Sequence, residues 1–201
     1  MSCRTAAPAA AESHPPIVQP GAPGEASHVI SAAKASDLSK IEYTGADIKF
    51  MQGMIGHHGQ AIEMVGLVNS RTRRDDMKKL ALRIELSQDD EIKMMQRWLS
   101  ARGQQVPSPQ AMHMHGATLM PGMLTDDEMR QLSQANGDDF DRLFLEGMIK
   151  HHSGALTMVH DLFAAPGAGQ DSEIFAFASD VDADQRMEID RMAAMLKEIQ
   201  K

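Results

Sequence analysis

From Tyr43 onward apolar residues recur at helical spacing over long stretches, and the breaks between those stretches carry helix-end chemistry. Thr44 stands as an N-cap with Asp47 three residues on, and Tyr43 and Ile48 are placed to staple the first turn, which predicts a helix over about 45–69. A second is predicted over about 73–101, opening at Thr72-Arg-Arg-Asp75 and stopping at Arg102-Gly103 with Pro107 beyond. Thr125-Asp-Asp-Glu128 is a capping box for a short helix ending near Gly137. A helix over about 139–164 stops at Pro166-Gly167, and the last, about 172–200, follows Asp171. No alternating β-branched run with hairpin punctuation competes, so the fold class predicted is all-α. Residues 1 to about 28 differ: Pro8, Pro15, Pro16, Pro20 and Pro23 with Gly21 and Gly24 leave too little apolar surface to offset ordering entropy. The organisation expected is a flexible, disordered Ala/Pro-rich N-terminal tail over 1–40 and one helical domain over 41–201.

The helical part is duplicated. Asp47–Val65 recurs 94 residues later as Asp141–Val159, with identity at Asp47, Phe50, Gly53, Met54, Ile55, His57, His58, Ala61, Met64 and Val65. The following helix repeats at an offset of 97: Gln88, Glu91, Ile92, Met95 and Leu99 match Gln185, Glu188, Ile189, Met192 and Leu196. Two related helical hairpins predict a four-helix bundle with pseudo-twofold symmetry, the short helix and a Met/His loop crossing between halves. Each hairpin alone would leave its apolar stripe exposed, which favours one domain over two.

At about 100° per residue, Met51, Met54, Ile55, His58, Ile62 and Val65 share a stripe that should face the interior, with Phe50, His57, Ala61 and Met64 on its flank. The second copy puts Met148, Ile149, His152, Leu156 and Val159 on the stripe and His151 and Met158 on the flank. Met54 can share a ligand with either His57 or His58, and Met95 and Met192 point inward if their apolar neighbours do. Methionine at helical spacing is ordinarily a core filler. Two His-His pairs on duplicated helices are harder to explain by packing, because every buried imidazole brings two nitrogens to satisfy.

Composition sharpens this reading. The 201 residues hold 17 Met but only 14 Leu, with one Trp, one Tyr and six Phe. Thioether and imidazole donors without thiolates suit copper(I), or silver(I) as its mimic, and they bind it without releasing a proton. The expected interior sites are Met51, Met54, His58 and Met95 with Met148, His152 and Met192. Flank sites are expected at His57, Met64, His151, Met158 and His160. Met112, His113, Met114 and His115, followed by Met120-Pro-Gly-Met123, lie among loop-forming Gly and Pro and should form a mobile capture site. The net charge of −8 argues against a nucleic-acid partner. No apolar run approaches the roughly 18 residues of a membrane span. Cys3 is the one cysteine, which excludes an internal disulfide; its place before an Ala/Pro tail fits a lipoprotein tether as well as a lone thiol.

Two other classes compete. A ferritin-like di-iron or di-manganese oxidoreductase needs Glu-x-x-His on two helices, and none of the predicted helices carries one. Glu91 and Glu188 still supply one carboxylate per half, whereas Glu63 matches Thr157 and Glu146 matches Gln52. A helical interaction module gripping partners through its methionines would leave the His pairs unexplained. No nucleophile elbow or Gly-rich phosphate loop supports an enzyme, and binding without catalysis is expected.

The two Gly-Met-Ile-x-His-His cores, the Met-Pro-Gly-Met-Leu-Thr lead into the short helix, and Phe-Asp-Arg-Leu-Phe-Leu-Glu-Gly-Met over 140–148 resemble the bacterial domain-of-unknown-function 305 family of CopM-like proteins. The resemblance covers about residues 43–200. It implies a ferritin-like four-helix bundle, export to the periplasm or cell surface, and binding of copper or silver in metal tolerance. Carried onto this chain it points to Met54, His57, His58, Met148, His151 and His152. The partners expected are metal ions and a protein that receives copper, with a membrane contact only through a lipid on Cys3.

Overall fold

A computed structural model describes residues 16–19, 26–35, 43–109 and 119–200. Cys3 and Met112–His115, both expected to matter, lie outside the described residues. The chain divides into two units, Met1–Ile41 and Glu42–Lys201. In the first, strands β1 (Ile17–Gln19) and β2 (His28–Ile30) pair antiparallel, with Ile17 opposite Ile30 and Val18 opposite Val29, and a single helical turn, α1 (Ala32–Ala35), follows. This corrects the tail reading, which contained no strand. The β-branched Ile17-Val18 and Val29-Ile30 meet as cross-strand pairs across a segment rich in Pro and Gly, and three residues of such pairing need no long alternating run.

The second unit is helical, as the periodicity predicts. Its elements are α2 (Gly45–Arg71), α3 (Asp75–Ala101), α4 (Asp126–Gln134), α5 (Gly137–Ala164) and α6 (Ser172–Ile199). Both predicted capping boxes are formed, Thr44 with Asp47 and Thr125 with Glu128. Helices α2 and α3 form one antiparallel hairpin and α5 and α6 the other; α2 and α5 pack on each other, and α4 rests against both. No helix among the described residues is long and apolar enough to cross a membrane.

The core is split in two along the bundle. One apolar cluster joins the start of α2, the end of α3, the end of α5 and the start of α6, through Met51, Met54, Met95, Val159 and Phe177 among others. The second joins the opposite ends, through Met64, Ile84, Phe144, Met148 and Met192. Between the clusters lies a belt of buried polar residues: His57, His58, Gln88, His151, His152, Gln185 and Glu188.

The buried face of α2 is wider than the predicted stripe. His57, Ala61 and Met64, expected on the flank, are fully buried, as is His151, whereas Ile62, Ile149 and Leu156 are only partly so. The reason is geometric: α2 and α5 each touch a hairpin partner, each other, and the chain connecting the halves, so little of their middle turns remains free.

The duplicated aspartates tie the hairpins together. Asp47, buried at the start of α2, accepts from Thr44 N at 2.6 Å and from Gly169 N in the α5–α6 turn at 2.7 Å. Asp141, at the equivalent point of α5, bonds Thr72 in the α2–α3 turn. Asp47 thus caps its own hairpin's entry, and each aspartate holds the other hairpin's turn. Asp47→Ala leaves two N–H groups without their acceptor and should cost about 2–4 kcal/mol of stability, read by urea unfolding.

Candidate metal centre

The centre is built where α2 and α5 cross, and small residues make the crossing possible. A Cβ on Gly154 would strike the backbone of Pro121 and Gly122, and one on Gly59 would strike Pro109, so the chain between α3 and α4 lies directly on both helices. Gln60 clamps this connection from both sides, accepting from Leu124 N at 2.7 Å and donating to Leu124 O at 2.9 Å. Gly122, at φ 76°, lets the chain turn against α5.

Beneath it lie the four histidines, all with no exposed surface. His57 and His151 meet across the pseudo-twofold axis with ring centroids 3.8 Å apart and planes tilted by 35°. Every Nε2 faces an oxygen: His57 meets Pro121 O at 3.0 Å, His151 meets His57 O at 2.9 Å, His58 meets Glu91 Oε2 at 2.5 Å, and His152 meets Glu188 Oε2 at 2.7 Å. Carbonyls and carboxylates only accept, so each Nε2 carries the hydrogen, and in the neutral ring Nδ1 keeps a lone pair. All four Nδ1 atoms are buried and have no hydrogen-bond partner among the described residues. Four orphaned buried acceptors in one belt are costly as packing alone, and each ring is already oriented through its other nitrogen.

Burial sets the protonation. Desolvation, with the neighbouring His58 second, pushes the His57 pKa from 6.5 down to about 3. His151 is also held well below its ordinary value, first by burial and then by His57. Asp184, on α6, is pushed upward by burial and then by the charges of Glu91 and Glu188. Glu188 also lies 3.5 Å from Arg83 Nε, and Glu91 accepts from Ser87.

The helical register brings methionines to this belt. Because α2 and α3 run antiparallel, stepping four residues from the His58–Glu91 bond leads to Met54 on one helix and Met95 on the other, at the same level about 6 Å away. Both are fully buried in one cluster with Met51. The same step from His152–Glu188 leads to Met148 and Met192, fully buried in the other cluster. The expected flank grouping is not gathered into one place. Met64 packs over Gly147 and Met158 over Gly53, each from the opposite hairpin, while the His160 side chain is 79% exposed beside Asp161. Among the described residues, no three His, Cys, Asp or Glu side chains converge around a point where a metal ion would sit. A site here would therefore need its methionines. Sequence reasoning missed that Glu91 and Glu188 hold the histidines, although their repeat at the offset of 97 was the signal.

The model of the family described as Domain of unknown function (DUF305) matches residues 47–196. The chain belongs to the DUF305 family. A candidate secreted DUF305 protein of Streptomyces coelicolor is 32% identical, at a TM-score of 0.66, with 77% of this chain and 94% of that one covered. A DUF305 fragment from Deinococcus radiodurans is 29% identical at a TM-score of 0.67, covering 78% of this chain and 98% of that one. CopM in its Cu(I)-bound form is 27% identical at a TM-score of 0.59, over 78% of this chain and 98% of CopM. CopM is also solved with Cu(II) and with silver. Among curated proteins none matches. These DUF305 structures bear out the helical fold and the resemblance read from the two His-His cores.

The depressed histidines make a stability prediction. The unfolded chain takes up protons at His57 and His151 below about pH 6.5 while the folded chain does not, so stability is complete above that pH and falls as the pH drops toward about 3. Each histidine contributes a slope of at most about 1.4 kcal/mol per pH unit. Urea unfolding of the metal-free protein between pH 7 and 4 should show this slope, and H57Q/H151Q should flatten it.

Proposed function

We propose that this DUF305 protein binds copper(I), with silver(I) as its mimic, at two related interior sites. One comprises His58 Nδ1 with the thioethers of Met54 and Met95; the other comprises His152 Nδ1 with Met148 and Met192. The observation that carries the reading is the set of buried Nδ1 lone pairs left without partners, with fully buried methionines one helical turn away. Their Nε2–H groups are committed to Glu91 and Glu188, which orient each ring and raise its basicity as a ligand.

The donor set selects the ion. Two neutral thioethers and one neutral imidazole suit a soft monovalent ion, whereas zinc and the hard divalent ions favour more nitrogen, thiolate or oxygen ligands. The carboxylates that a di-iron or di-manganese enzyme would use are occupied in holding the imidazoles, which favours binding over catalysis. CopM, solved with Cu(I), Cu(II) and silver, supports the choice of metal. The role fits an oxidising compartment outside the cytoplasm, where thioethers cannot be lost to disulfides, and the candidate secreted relative agrees with it. Copper is cargo in this reading, sequestered or passed to a partner protein, and a lipid on Cys3 would keep the domain at the membrane.

An anaerobic copper(I) titration against a coloured competing chelator tests this. The wild-type chain should hold two tightly bound ions, M54L/M95L should lose one, and adding M148L/M192L should lose the other while the helices stay folded, since Leu keeps the volume of Met. Glu91→Gln should weaken one site by about 10- to 100-fold without removing it. Undiminished binding in the fourfold Met→Leu variant would sink the interior sites.

A further inference from the structure

Gly53 and Gly147 are equivalent positions of the duplication, yet the connecting chain covers them differently. A Cβ on Gly147 would lie 3.3 Å from Met64 Cε and 3.1 Å from Leu124 Cδ2. On Gly53 it would lie 3.4 Å from Met158 Cε and 3.2 Å from Met120 Sδ. Met64 and Met158 correspond, so the difference is the third member: a hydrocarbon on one side, a thioether on the other. Exposure differs as well. Met64 and Leu124 are buried, whereas Met120 and Met158 are both partly open to solvent.

Leucine at the closed side shows that packing over the glycine needs no sulfur. At the open side two thioethers gain nothing over Leu as fillers, and partial exposure leaves them open to oxidation. Their position gives them a use. Met120 is followed by Pro121, whose carbonyl holds His57 Nε2 at 3.0 Å, and Met54, a ligand in the reading above, follows Gly53 on α2. Upstream in sequence lies Met112-His-Met-His115.

We propose that Met120 and Met158 over Gly53 form a separate surface site that takes up copper(I) or silver(I) first and passes it to the buried imidazole–thioether sites. This inference rests on the interior-site reading. Two neutral thioethers hold a soft monovalent ion in a shallow two-ligand site, and exchange onto a deeper thioether or imidazole moves no proton and leaves the ion's charge unchanged. The covered Gly147 side offers no such opening, so a symmetric pair of interior sites is served by one asymmetric port.

The test uses the full chain labelled at methionine methyl groups and aqueous silver(I). In the wild type, substoichiometric silver should shift the Met120 and Met158 methyl signals before those of Met54 and Met95. In M120L/M158L the interior should fill to the same final level but about tenfold more slowly, the effect of about 1.4 kcal/mol on the barrier. Gly53→Ala, whose Cβ pushes the two thioethers aside, should slow filling in the same direction. Equal filling rates in wild type and M120L/M158L, or Met120 and Met158 signals that never move while Met54 and Met95 signals do, would overturn the port alone. A wild-type chain whose interior methionines never respond would overturn the interior sites and the port together.

Discussion

Four imidazoles are buried at one helix crossing, and each must place its Nε2–H on an oxygen. That requirement organises the helical unit. Two oxygens come from carboxylates on the hairpin partners, Glu91 and Glu188, which fixes the register of α2 against α3 and of α5 against α6. The other two are backbone carbonyls, one from Pro121 in the connection and one from His57 itself in the facing helix. A buried N–H left without an acceptor costs on the order of 1–3 kcal/mol, so a slip of either hairpin or loss of the connection would be opposed at several points at once. The other ring nitrogens are left free as a consequence. The polar belt thereby ties one nitrogen of each ring to the scaffold and leaves the other with an unshared lone pair.

The belt also explains why the apolar core is divided. Methionine and aromatic side chains fill both ends of the bundle, and the histidines, glutamines and glutamates occupy the middle. Water is kept from the imidazoles by apolar packing at both ends and by the connection lying across the crossing. Glycine at 59 and 154 is what lets that connection come close enough, since a single methyl at either point would collide with its backbone. Burial then holds His57 and His151 neutral.

Duplication and asymmetry coexist here. The two hairpins repeat their histidines, carboxylates, glutamines and methionines, and even the aspartates that lock each turn to the other half. A single strand of chain has to cross between them and cannot obey the twofold relation. It meets α2 through Met120 and Pro121 and α5 through Pro121, Gly122 and Leu124. Differences in chemistry between the two halves therefore concentrate along its path.

Much of this was legible in the residues. Helix ends followed from local chemistry, because Thr44, Thr125 and Asp171 cap through neighbours only two or three positions away. The paired hairpins and the matching His-Met spacing followed from the repeat, since side chains three and four apart on a helix must share a face. The short strand pair in the tail escaped notice because three-residue strands leave almost no periodic signal. The burial of His57, Ala61, Met64 and His151 also escaped, because a helical wheel assigns one inward face and cannot know how many neighbours a helix will have. Sequence by itself determined the helices, the duplication and the softness of the donor set, all properties of near neighbours or of composition. Only the tertiary structure decided that Glu91 and Glu188 hold His58 and His152, that the His57 and His151 rings meet, and that Met120 stands where its counterpart is Leu124. Each of those joins residues 23 or more positions apart, and such contacts are set by how whole helices and their connection pack.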